Sequence, residues 1–148
     1  MGATQSAPPA NSNGGGGGWT SWLPLLALGA ILFLLLRPRA PAEGVTLVTG
    51  RDAERLLREG NAAGKAVLLD VRSGGEYAGG HVRGALNIPV GDLAARAREL
   101  PKTKGAPLIV YCRSGARSAS AAGQLVAMGY TAVYDMGASS NWPHELVR

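Results

Sequence analysis

Apolar positions divide this chain into two unlike parts. From Trp19 to Leu36 it reads WTSWLPLLALGAILFLLL, a run of 18 uncharged residues. At about 1.5 Å per helical residue they span roughly 27 Å, against about 30 Å of bilayer hydrocarbon. The pattern predicts one transmembrane helix at 19–36, with Trp19 and Trp22 at one interface and Arg37 and Arg39 at the other. A buried core helix is a poorer reading, because the run is apolar on every side and the rest of the chain is too small to cover it. Residues 1–18 are mainly Ala, Pro, Asn, Ser and Gly, with no apolar face to bury, and read as a disordered tail. Residues 37–43, with Pro38 and Pro41, read as a linker.

From residue 44 to 148 the pattern changes to an alternation of strands and helices. Val45 to Val48 predicts a short strand. Thr49-x-x-Asp52 opens a helix whose Ala53, Leu56 and Leu57 share one face, and Gly60 ends it. Ala66 to Val71 and Pro107 to Tyr111 are continuous apolar runs, as expected of parallel strands covered on both faces. A strand near Ala85 to Ile88, helices near Gly91 to Leu100 and Ser118 to Met128, and a strand at Ala132 to Asp135 complete the pattern. The expectation is one α/β domain over 44–148, with about five mostly parallel strands and helices on both faces.

Charge sharpens this division. No Lys, Arg, Asp or Glu precedes Arg37, whereas Arg37, Arg39 and Arg51 follow the apolar run closely. That asymmetry predicts a single-pass membrane protein with its C-terminal domain in the cytoplasm. The alternative is an exported protein cleaved after Ala40-Pro41-Ala42, but arginines between the apolar run and the cleavage site oppose export. Met1-Gly2 with Ser6 also fits the loose myristoylation pattern. The net charge is +5, yet the arginines are scattered rather than interleaved with aromatics, so no nucleic-acid partner is expected.

One cysteine and two histidines provide no cluster of metal-ligand spacing, and no metal or cofactor is expected. The segment GNAAGKA, Gly60 to Ala66, fails as a P-loop, which needs four residues between its glycines and Ser or Thr after Lys. That leaves Cys112, in YCRSGARS, directly after a buried strand and directly before a helix. Ligands of open α/β sheets bind beyond the carboxyl ends of the strands. There Gly115 lets the chain curl so that N–H groups turn inward, while Arg113 and Arg117 add positive charge. Both features favour a thiolate and an anion beside it.

These residues resemble the rhodanese family. The loop CRSGARS, Cys112 to Ser118, is similar to the family's C-R-x-G-x-R-S active loop. The stretch DVRSGGEYAGGHVRGALNIP, Asp70 to Pro89, is similar to its upstream signature. The resemblance implies a rhodanese-like fold and a sulfurtransferase with Cys112 as the catalytic, persulfide-carrying residue. It implies Arg113, Ser114, Gly115, Ala116, Arg117 and Ser118 as the substrate cradle, with Asp70 and Arg72 near the pocket. Its implied partners are a small sulfur donor such as thiosulfate and an external thiol or protein-thiol acceptor, since no second cysteine can resolve the persulfide.

Glu76 and His81 are expected to hold the signature's turn together, and His144 to be solvated. Met136 stands where the family's closing motif has its first glycine, with Gly137 and Trp142 kept, and a shortened final helix is expected after them. Two rivals stand beside this reading. Cysteine-loop phosphatases use C-x5-R, one residue longer than the C-x4-R here. A non-catalytic module that anchors partners at the membrane is the other.

Overall fold

The computed structural model describes residues 42–148. The expected tail, membrane helix and most of the linker lie outside them. Among the described residues no helix is long and apolar enough to cross a membrane.

The chain forms β1 (Val45–Leu47), α1 (Gly50–Glu59), β2 (Val67–Asp70), α2 (Gly74–Gly79), β3 (Leu86–Asn87), β4 (Leu108–Cys112), α3 (Ala116–Ala127) and β5 (Val133–Ala138). The strands make one sheet in the order β1-β5-β4-β2-β3, and every adjacent pair is parallel. β4, buried at all five positions, lies at its centre.

The local chemistry explains these elements. Thr49 caps α1: its hydroxyl accepts the Asp52 N–H at 3.2 Å, and the Asp52 carboxylate accepts the Thr49 N–H at 3.3 Å. Gly60, at φ 63°, ends the helix and donates its N–H to Leu56 O.

Side chains then alternate across the sheet. Leu69, Leu108, Val110 and Cys112 pack with Ala121, Ala122 and Leu125 of α3. Leu68, Ile109 and Tyr111 face the other way and pack with Ala53 of α1, with Leu56, Leu57 and Tyr77 against them. Both faces are thereby covered, which is why β2 and β4 read as unbroken apolar runs.

Two elements differ from expectation. Gly91 to Leu100 is not an α-helix but two short 3-10 turns, Val90–Asp92 and Ala97–Glu99. Pro89 and Pro101 bound the segment, and the bidentate Arg96–Glu99 pair, at 2.8 and 2.7 Å, joins residues three apart that eclipse in a 3-10 turn. Conversely, α2 forms where no helix was expected. Ser73 caps it and Glu76 closes the capping box despite the two glycines of its first turn. Beyond Trp142 the chain makes no helix; it crosses back to pair with His81 through two bonds, His81 N–H to Val147 O and Val147 N–H to His81 O, each 2.8 Å.

Candidate active site

Cys112 is the last residue of β4, so the sheet itself fixes its Cα. Its neighbour on β5 is Ala138, reached across an irregularity in register: Val110 pairs with Asp135, but Tyr111 pairs with Gly137. Met136 is the extra residue, and its side chain is buried among the α1-side core. A methionine at that position is thus absorbed by the core rather than placed against the cysteine loop. Gly137 follows at φ 75° and donates its N–H to Asp135 Oδ1 at 2.8 Å.

The loop from Cys112 to Arg117 turns back on the sulfur. Gly115 sits at φ 100° as the N-cap of α3, a backbone conformation that side-chain-bearing residues rarely adopt. That turn directs the Gly115 N–H at Cys112 Sγ, 3.0 Å away. The N–H groups of Ser114 and Ser118 also act on the sulfur. The Ser118 hydroxyl lies within reach of it and donates to Gly115 O at 2.9 Å, bracing the turn.

Burial opposes ionisation of Cys112, but these donors outweigh it and bring the thiol below its ordinary value. A lowered value means that thiolate persists to lower pH than in a free cysteine. The rate of alkylation by iodoacetamide should therefore titrate with a midpoint below the ordinary value of 9.0. A midpoint at or above it would show that burial wins.

Arg117 does not point freely at the loop. Its guanidinium makes a bidentate fork with Glu76, 2.7 and 2.9 Å, tying α3 to α2. Arg117 holds the Glu76 carboxyl down, helped by the Ser73 N–H, to about 2. Arg113, by contrast, is exposed and enters no ion pair among the described residues.

Asp70 and Arg72 lie beneath the site as a buried pair. Arg72 Nη2 reaches Asp70 Oδ2 at 2.6 Å and Gly80 O at 2.7 Å, and Arg72 Nε reaches both carboxylate oxygens. Tyr111, paired with Asp70 in the sheet register, donates its hydroxyl to the same carboxylate at 2.7 Å. Burial, then the bond to Asp70, pushes that hydroxyl up, so it remains a donor. Asp70 has no exposed surface, while Arg72 reaches the edge of a cleft.

That cleft, of about 470 Å³, is lined by Arg72, Glu76, Gly79, Gly80, Arg113, Ser139, Leu146 and Arg148. It abuts the loop on two sides, since Arg113 follows Cys112 and Ser139 follows its register partner Ala138. The His81–Val147 pairing carries Leu146 and Arg148 to its rim. No spacing signal in the sequence marks those two residues. His81 also stacks on Tyr77, ring centroids 3.7 Å apart, and its Nδ1 lies 3.0 Å from Tyr77 O. His144, expected to have no partner, is exposed but lies 3.1 Å from Glu54 Oε1.

Known proteins resemble this chain over the same α/β domain. The family model of the rhodanese-like domain matches residues 51–143. The chain is 36% identical over 99 residues to the human thiosulfate:glutathione sulfurtransferase, covering 58% of this chain and 86% of that one. It is 40% identical over 79 residues to Uncharacterized protein YqhL of Bacillus subtilis, covering 53% of this chain and 61% of that protein's length. Among solved structures, a rhodanese with anions from E. coli superposes with a TM-score of 0.53 at 32% identity, covering 56% of this chain and 98% of that one.

Proposed function

This chain belongs to the rhodanese-like domain family, and we propose on that footing that it is a sulfurtransferase working through a Cys112 persulfide. The observation that carries the reading is the Gly115 N–H aimed at Cys112 Sγ from 3.0 Å, at the turn that opens the next helix. Such a donor stabilises a thiolate before reaction and the terminal sulfur of a persulfide after it. The name of the human relative makes thiosulfate the donor to try first and a low-molecular-weight thiol the acceptor.

In the proposed cycle, the Cys112 thiolate attacks the outer sulfur of thiosulfate. An S–S bond to Cys112 forms, the bond within thiosulfate breaks, and sulfite leaves with the electron pair. The exposed Arg113 and the N–H groups of Ser114, Gly115 and Ser118 stabilise the charge that gathers there. Arg117, held by Glu76, fixes the loop's far end. The decisive experiment is intact-mass measurement after brief exposure to thiosulfate. A gain of one sulfur atom, lost again on adding a thiol, supports sulfur transfer; an unchanged mass favours the non-catalytic module.

Loop length separates this chemistry from phosphatase chemistry. One glycine inserted after Gly115 would give C-x5-R and move the N–H groups off the sulfur. Sulfur transfer should fall at least about tenfold, roughly 1.4 kcal/mol. Unchanged turnover would show that loop length does not set the reaction.

We also propose that residues 19–36 anchor the protein as a single span, with the rhodanese-like domain in the cytoplasm. The run's length, its paired tryptophans and the arginines that follow support this reading. Full-length protein should stay with membranes through carbonate extraction, while a truncated protein beginning near Ala42 should be soluble. A mature protein found to begin at Glu43 would make the segment a cleaved signal instead.

A further inference from the structure

The cleft beside the cysteine loop is larger than the donor requires. A small tetrahedral anion displaces on the order of three water volumes, ~90 Å³, whereas the cleft holds about 470 Å³. Its charge is also unbalanced. Arg72 is engaged by Asp70, and Glu76 by Arg117. Arg113 and Arg148, both exposed, line the same space and enter no ion pair among the described residues. Leu146 supplies an apolar part of the wall, and Gly79 and Gly80 line it with backbone alone.

We propose that this cleft is the acceptor subsite, and that it selects small thiols bearing carboxylates over neutral or cationic ones. Arg148, brought to the rim by the His81–Val147 pairing, is its specificity residue, with Arg113 the second anchor beside the sulfur. The proposal rests on Cys112 carrying a persulfide. In the transfer, the acceptor thiol gives its proton to the outer sulfur as its own sulfur bonds to that atom. The S–S bond to Cys112 breaks and its electron pair stays on Cys112 Sγ. The products are an acceptor hydropersulfide and the starting thiolate, so no oxidant or reductant is needed.

The test uses full-length protein and a charge series of acceptors: mercaptosuccinate, 2-mercaptoethanol and cysteamine. Cys112 is first loaded with thiosulfate, and loading is read by intact mass. Wild type should favour mercaptosuccinate, and the preference should shrink as salt screens the guanidinium groups. In Arg148→Gln, the kcat/KM ratio of mercaptosuccinate to 2-mercaptoethanol should fall about tenfold, while Arg148→Lys keeps most of it. A wild type without this preference, or an Arg148→Gln variant that retains it, overturns the acceptor subsite alone. Failure of thiosulfate to load Cys112 overturns the sulfurtransferase reading, and the subsite with it.

Discussion

Cys112→Ser should lower sulfur transfer from thiosulfate by at least about a thousandfold, equivalent to ~4 kcal/mol of activation free energy. A serine hydroxyl placed among the same N–H donors stays protonated at neutral pH, attacks poorly and cannot carry a persulfide. The fold should survive, because the substitution is nearly isosteric and the loop donors can bond the oxygen instead. Activity and thermal melting should be measured on the same preparation. Retained transfer with an intact melt would remove Cys112 from the chemistry. Loss of both would show that the sulfur is a packing atom.

The second large effect is structural. Asp70→Ala should strip the partner from a guanidinium and a tyrosine hydroxyl that are both buried. Breaking a buried pair by removing one member costs about 3–5 kcal/mol, against a total stability of about 5–15 kcal/mol for a domain. At about 4–8 °C per kcal/mol in a domain of this size, the melting temperature should drop by roughly 12–40 °C. The experiment also decides what Asp70 is for. An unchanged melt with lost thiosulfate turnover would return it to the substrate, where the sequence signature had put it. A large drop in melt, with activity surviving in protein kept cold, assigns it to holding β2, β4 and the turn at Gly80 in place.

What could be read in the sequence follows the range of each interaction. The cysteine loop is local: strand end, glycine turn and helix start fall within seven consecutive positions, Cys112 to Ser118. Its shape could therefore be inferred without knowing the fold. The central strands were legible because burial on both faces leaves a run of Val, Leu and Ile. Contacts between distant positions were not legible. Glu76 and Arg117 stand 41 positions apart, so the expectation that Arg117 was free to hold an anion could not foresee the fork that engages it. The helix α2 was hidden for a different reason. The two glycines of its first turn argue against a helix, and the capping box contributed by Ser73 and Glu76 outweighs them. The 3-10 turns after β3 carried a helical apolar spacing, but a segment bounded by two prolines did not extend it.

The strand order has a consequence for how the chain assembles. β5 is the last strand made, yet it sits between β1, the first, and the central β4. Val45 must find Val133, and Cys112 must find Ala138, before the sheet is continuous. During synthesis, therefore, β4 emerges with one hydrogen-bonding edge open until residues 133–138 leave the ribosome. Pairings of such long sequence separation are slow to form, and open parallel edges are prone to wrong association. Folding should be limited by docking of β5, and pulse-labelled amide exchange should find β1 and β5 gaining protection together and after β2 and β4. Translation that pauses before codon 133 would prolong exposure of that edge, so the protein's yield in cells should depend on how quickly its final segment is delivered.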